Sequence, residues 1–178
     1  MMFKIKPVET YSPHIGVLVS MMTACRYKTL RVIRNLTTEQ LDYLWDENAN
    51  SIGAMLLHLC ALEVGYQELS FFGRDLLDNP QLREKWLTSF TLGEEARVNL
   101  KGHEIEFYLS QLEETRSKTL ELLSEQHDDW LWLEGKQCWS DHITNNYWRW
   151  YHVFEDEINH RGQIVWLKSR IPSSLTSN

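Results

Sequence analysis

Between residues 52 and 69, Ile52, Met55, Leu59, Leu62, Tyr66 and Leu69 recur at alternating steps of three and four residues. An α-helix gathers such positions on one face, whereas a strand would scatter them over both. Ser51 stands directly before the run as an N-cap, its hydroxyl suited to accept from a free N–H of the first turn. A helix of this pattern has to bury its stripe against other elements, so the remainder of the chain must supply partners.

Three further helical stretches answer that requirement. Residues 14–36 place Leu18, Met22, Cys25, Val32 and Leu36 on one face, and Leu36-Thr37-Thr38-Glu39-Gln40 then reads as a break and a fresh start. Residues 73–102 mix Gly73, Pro80, Trp86 and Gly93 with charges and read as a connection of short turns or a small helical excursion. A third helix over about 103–126 carries Ile105, Leu109, Leu112, Leu120 and Leu123, with its glutamates and Arg116 on the solvated side. The polar, tryptophan-rich segment 127–145 precedes a fourth helix, which starts at Asn145 or Asn146 and runs to Arg170 before Pro172. Its strongest apolar stripe is Tyr147, Tyr151, Phe154, Ile158 and Val165, with Trp148, Trp166 and Leu167 spreading apolar surface around it. Four helices of about 20–25 residues, without strand-like alternation or repeats, predict an all-α four-helix bundle. The expected layout is one domain through residue 172 and a frayed tail at 173–178.

At 178 residues the chain can bury a sizeable core without disulfides or a structural metal. Its 18 basic and 25 acidic residues give a net charge of −7, and no lysine-rich run exists, which argues against nucleic acid as a partner. Cys25, Cys60 and Cys138 lie far apart without a CxxC pair and read as buried thiols in a reducing compartment. With no signal-like apolar segment at the N-terminus and no apolar run of membrane-spanning length, the expected location is the cytoplasm, with no membrane partner.

The chemistry-bearing residues lie on the second and fourth helices. His152, Asp156 and His160 are spaced by four and stack along one side of the last helix. His58, in Leu56-Leu-His-Leu-Cys60, is the histidine on another well-formed helix and completes a two-His, one-carboxylate set. Such a set leaves coordination positions open for water or a substrate atom. Spacing alone leaves other readings open. His58 could instead bond a backbone carbonyl, and Asp156 and His160 point nearly opposite the apolar stripe, toward water. Trp130, Trp132, Trp139, Trp148 and Trp150 either wall a pocket or pack the long loop onto the bundle, the second being the simpler reading.

His58-Leu-Cys-Ala-Leu-Glu63 together with Glu157-Ile-Asn-His160-Arg-Gly-Gln-Ile164 resembles the DinB-like superfamily of damage-inducible bacterial proteins. The resemblance implies a bundle with an up-down-down-up connection. It also implies one divalent ion, often nickel or zinc, held by three histidines, one from the second helix and two from a His-x-x-x-His in the fourth. Carried over, the ligands are His58, Asp156 and His160, with an aspartate at the middle position. That oxygen ligand shifts preference toward manganese, iron or magnesium relative to nickel, while zinc tolerates it. His152 is then an alternative ligand or a catalytic base, Glu63 a second proton carrier, and Arg161 and Gln163 support the site or pack the helix.

Two functions follow from the resemblance. One is a metal-dependent enzyme acting on a small molecule, either a transferase that uses a low-molecular-weight thiol or a hydrolase. The other is a non-catalytic, stress-associated metal-binding or scaffold bundle. A homodimer is compatible with a bundle of this kind, though no stripe marks its interface.

Overall fold

A computed structural model of the chain describes residues 4–137 and 140–175. Cys138 and Trp139, read above as a buried thiol and as part of the tryptophan cluster, lie outside the described residues, as do the last three residues of the tail. The described residues are mostly α-helical. In chain order the helices are α1 (Pro13–Ile33), α2 (Thr38–Leu41), α3 (Ile52–Phe72), α4 (Pro80–Thr91), α5 (Gly93–Asn99), α6 (Ile105–Ser124) and α7 (Asn146–Lys168). A two-stranded antiparallel hairpin of β1 (Glu134–Gln137) and β2 (Ser140–Asn145) leads into α7.

The helix ends follow from identifiable caps. Ser51 accepts from the Ala54 N–H at 3.1 Å to start α3, and Asn145 accepts from the Trp148 N–H at 2.8 Å to start α7. Gly73, at φ 66°, adopts the left-handed conformation that closes α3, which a residue with a Cβ would enter only with strain. The break expected after the first helix is present: Thr37 and Gln40 form a reciprocal capping box that opens α2. The start of α1 is capped from a distant part of the chain. Asp128, in a 3-10 turn after α6, accepts from the Ser12 hydroxyl at 2.6 Å and from the backbone N–H groups of His14 and Ile15 at 3.0 and 3.1 Å.

Four long helices pack together: α3 lies against α6 and α7, and α1 lies against α7 and α6. Contacts between α3 and α6 advance in step, from Glu63 with Arg116 to Gln67 with Thr119. Those between α1 and α7 also advance in step, from Arg26 with Glu157 to Val32 with Lys168. Between α3 and α7 the order reverses, Ser70 meeting Trp150 and His58 meeting Asp156. A Cβ at Gly53 would collide with the Tyr108 ring, so this glycine lets α3 and α6 approach closely.

The apolar core falls into two parts. Ile15, Leu18, Met22, Tyr66, Leu69, Leu123, Trp150 and Val153 form one; Ile33, Ile52, Met55, Leu56, Tyr108, Leu112, Ile164 and Leu167 belong to the other. Between them lies a layer of four buried charges, one from each long helix: Arg26, Glu63, Arg116 and Glu157. Glu63 receives four hydrogen bonds, from Arg116 Nε at 2.7 Å and Nη2 at 3.1 Å, from Arg26 at 3.2 Å and from the Thr119 hydroxyl at 2.7 Å. Burial alone would push the Glu63 carboxyl up, but Arg116 and then Arg26 hold it below the usual carboxylate value. Burial likewise opposes the Arg26 charge, yet Glu157 and then Glu63 hold that guanidinium above its ordinary value. The layer is charge-balanced and hydrogen-bonded, the condition under which buried ions are tolerated.

Three sequence expectations need correction. Arg116 does not face solvent on α6; it is 6% exposed, because Glu63 and Glu157 give it partners inside. The α7 stripe is different as well. Trp150, Val153, Phe154, Glu157, Ile164 and Leu167 are buried, while Tyr151, Ile158 and Val165 are exposed. Of the two readings of the 73–102 connection the helical one holds: it folds into α4 and α5, with α4 packed on α3 and Trp86 buried. The expected absence of strands fails at the hairpin, where Glu134 pairs with Asn145 and Lys136 with Ile143. Arg149 of α7 ties it down by donating to the Thr144 hydroxyl at 3.1 Å and the Lys136 carbonyl at 3.2 Å.

The tryptophans mostly pack. Trp130 stacks on Phe71 with ring centres 4.7 Å apart, Trp132 stacks on Tyr147 at 5.4 Å, and the buried Trp150 donates to the Ser70 hydroxyl at 3.1 Å. Among the described residues, no helix is long and apolar enough to cross a membrane.

Candidate metal centre

Two helices running in opposite directions bring three of the singled-out residues together. His58 projects from α3, and Asp156 and His160 stand one turn apart on α7. One ligand atom from each lies within 4.8 Å of the other two. Asp156 Oδ2 is 3.8 Å from His58 Nε2 and 3.6 Å from His160 Nε2, and the two imidazole rings meet edge-on with centres 5.0 Å apart. The side chains are 15%, 18% and 12% exposed in the order His58, Asp156, His160, so the cluster is set into the surface but open on one side.

The tautomer of His58 follows from its other neighbour. Its Nδ1 lies 3.0 Å from the Ser89 carbonyl oxygen, which can only accept, so Nδ1 carries the proton and donates. In the neutral ring Nε2 then carries the lone pair, and it faces Asp156 at 3.8 Å. The two readings of His58 are compatible, since one nitrogen bonds a backbone carbonyl and the other faces the cluster. This is the arrangement by which a carbonyl orients a metal-ligating imidazole. Ser89 belongs to α4, so the segment read as a mere connection positions the site.

Electrostatics points the same way. Burial, opposed by Asp156 and reinforced by His58, pushes the His160 imidazole below the ordinary histidine value, and Gln163 one turn on acts on it from α7. A neutral imidazole is the form that coordinates. Asp156 Oδ2 and His160 Nδ1 are both buried and lack a hydrogen-bond partner. Unpaired buried polar atoms of this kind are costly, and a cation held between acceptors would remove the cost at Asp156. The donor set, two imidazoles and one carboxylate with an open side, fits a divalent ion.

His152 does not join the three. Its Nδ1 lies 3.3 Å from Glu155 Oε2, and its ring stacks on Trp148 with centres 5.1 Å apart, one turn before Asp156. Glu63 is locked in the charged layer described above, with both oxygens occupied, and is not free to carry protons at this site. Arg161 donates to the Cys25 carbonyl at 3.2 Å and so packs α7 on α1. The Ser89 carbonyl and the Arg26–Arg116 pair were missed by sequence reasoning. A backbone acceptor leaves no signature in residue type, Arg116 was read as a solvated charge, and nothing in the pattern singled out Arg26.

Among the described residues the two cysteines are free and buried. Burial pushes the Cys60 thiol up to about 12 and raises Cys25 as well, so neither is a ready nucleophile at neutral pH.

No curated protein matches the chain. Residues 17–172, which include all four long helices except the first turn of α1, match the family described as mycothiol-S-transferase. The chain therefore belongs to the mycothiol-S-transferase family, within the DinB/YfiT-like superfamily that its His58 and Glu157–Ile164 segments resemble.

Proposed function

We propose that this protein is a single up-down-down-up four-helix bundle acting as a divalent-metal-dependent transferase, which joins a low-molecular-weight thiol of the mycothiol type to a small electrophile. Family membership supports the thiol transfer and weighs against both hydrolysis and a non-catalytic scaffold. The in-step contacts of α3 with α6 and of α1 with α7, and the reversed order between α3 and α7, support the topology. The observation that carries the metal assignment is the convergence of His58, Asp156 and His160 around a buried carboxylate oxygen with no other partner.

In this reading His58 Nε2, an Asp156 carboxylate oxygen and a His160 nitrogen hold one divalent ion. The ion, when bound, supplies Lewis acidity that favours thiolate over thiol at neutral pH. The remaining work falls to the chain. The Ser89 carbonyl fixes the His58 ring, so the ligand lone pair is aimed before anything binds. The raised thiols of Cys25 and Cys60 support a nucleophile that comes from the co-substrate. The thiol proton passes to the His152 imidazole, held in place by Glu155 and Trp148, as sulfur bonds to the electrophilic carbon. The electron pair displaced there departs with a leaving group or, in a conjugate acceptor such as a maleimide, takes a proton back from His152. Asp156 in place of a histidine gives the site a hard, charged oxygen donor, which favours manganese or iron over nickel and leaves zinc acceptable. The homodimer expectation rests on the superfamily resemblance.

The test is turnover of mycothiol with an electrophile such as a maleimide, after reloading with manganese, iron, zinc or nickel in turn. Asp156→Ala should lower kcat/KM by about 100-fold or more with every metal. Equal activity of variant and wild type would remove the metal from the mechanism.

A further inference from the structure

The cluster has a neighbour that the proposed chemistry does not use. A cleft of about 500 Å³ opens beside it, between the segment before α3, α3 itself and the second half of α7. Met55, one turn before His58, lines it from α3, and Asn159, Gln163 and Trp166 line it from α7. Gln163 follows His160 by one turn of α7, as Met55 precedes His58 by one turn of α3, so the cleft runs along the same two helices as the cluster.

Three features define what the cleft accepts. Among the described residues no charged side chain lines it, in a chain whose net charge is −7. Its polar groups are the amides of Asn50, Asn159 and Gln163, which can donate and accept but carry no charge. Its aromatic wall is fixed in place, since Arg170 lies 3.9 Å over the Trp166 ring and Trp45 meets that ring edge-on at 5.6 Å.

Gly162 supplies the independent observation. It lines the cleft from the middle of α7, where glycine destabilises a helix relative to alanine. Its backbone is not in the left-handed region, and a Cβ there would meet nothing within 4 Å. Neither dihedral strain nor crowding therefore calls for glycine. What the missing side chain provides is open volume beside His160.

We infer that this cleft is the acceptor subsite, and that it binds an uncharged small molecule with a flat apolar body and a hydrogen-bonding edge. The inference deepens the proposed function and rests on it for the word acceptor. The volume suits a ligand of that kind, since small-molecule sites commonly span about 300–1,000 Å³. The mostly apolar lining with a few convergent amides gives orientation without charge recognition.

The experiment uses metal-free protein and two fluorescent probes that share one ring system: N-phenyl-1-naphthylamine, which is uncharged, and 8-anilinonaphthalene-1-sulfonate, which carries a sulfonate. The uncharged probe should bind about tenfold or more tightly than the sulfonate. Gly162→Leu, which fills the cleft from its floor, should weaken the uncharged probe by about tenfold or more without lowering the melting temperature. Trp166→Ala, which removes the wall, should weaken it too, and it decides the matter if the leucine variant folds poorly. Equal binding of the two probes, or binding of the uncharged probe that neither variant alters, would overturn the inference. Metal content measured on the same samples separates the two claims. Probe binding that responds to the variants in a protein that takes up no metal leaves the cleft standing and the metal reading fallen. Full metal uptake with unresponsive probe binding does the reverse.

Discussion

Two sets of polar side chains share helices α3 and α7, and they are treated in opposite ways. In the layer of Arg26, Glu63, Arg116 and Glu157, two positive charges meet two negative ones, and Glu63 alone receives four hydrogen bonds. In the cluster of His58, Asp156 and His160, two imidazole nitrogens stand 3.6–3.8 Å from one carboxylate oxygen, and two buried atoms lack hydrogen-bond partners among the described residues. The first set is complete without a ligand and fixes the register of four helices. The second is not, and the proposed ion would complete it. The contrast separates scaffold from site more clearly than burial or residue type does, since each set includes a carboxylate from the same helix, Glu157 in one and its neighbour Asp156 in the other.

The difference can be broken from either side. The largest expected effect is in the layer: Glu63→Ala leaves two buried arginines with Glu157 as their one carboxylate, and the uncompensated charge should cost about 3–5 kcal/mol in urea unfolding. Asp156→Ala in metal-free protein should change stability by no more than about 1 kcal/mol, because it removes a group that has no hydrogen-bond partner there. Comparable losses for the two variants would erase the distinction.

The next effect belongs to the cluster. Adding manganese or zinc at about 100 times its dissociation constant should stabilise the wild type by about 2.7 kcal/mol, read as a rise in melting temperature. Asp156→Ala should show no such rise. Asp156→His should keep it while moving the preferred metal toward nickel, since an imidazole replaces the oxygen donor.

Acid tests the layer without mutation. The folded pKa of Glu63 lies below its ordinary value of 4.5, so its contribution is fully present above that pH and is lost as the pH falls below it toward the folded value. Stability of the wild type measured from pH 6 downward should therefore decline below about 4.5, and Glu63→Gln should flatten that limb. An unchanged acid limb in the variant would show that other carboxylates set it.

The smallest effect concerns a satisfied carboxylate near the surface. Asp128→Ala removes the borrowed cap of α1 and should cost about 1 kcal/mol, well below the effect at Glu63 because water can replace the lost bonds.

The same contrast explains what the sequence made legible. The α3 helix was readable because its apolar residues keep the helical period and Ser51 marks its start. Asp156 and His160 were readable as a pair because a four-residue step places them on one face. Their distance from His58 was not, since it depends on how α3 crosses α7, and the superfamily resemblance rather than periodicity linked the two helices. The α7 stripe was misread for a related reason. Arg149 and Glu157 are buried by partners that no one-dimensional pattern contains, while Tyr151, Ile158 and Val165 keep a helical period and remain exposed. The hairpin escaped notice because Glu134–Gln137 is polar throughout and has no alternation to detect.

The central claim is that two helices hold one cation between them, and elemental analysis of protein purified without chelator tests it most directly, wild type beside Asp156→Ala. The account requires close to one divalent ion per chain in the wild type and almost none in the variant, both remaining folded. Metal far below one per chain in the wild type after reloading, or equal metal in the two proteins, would contradict it.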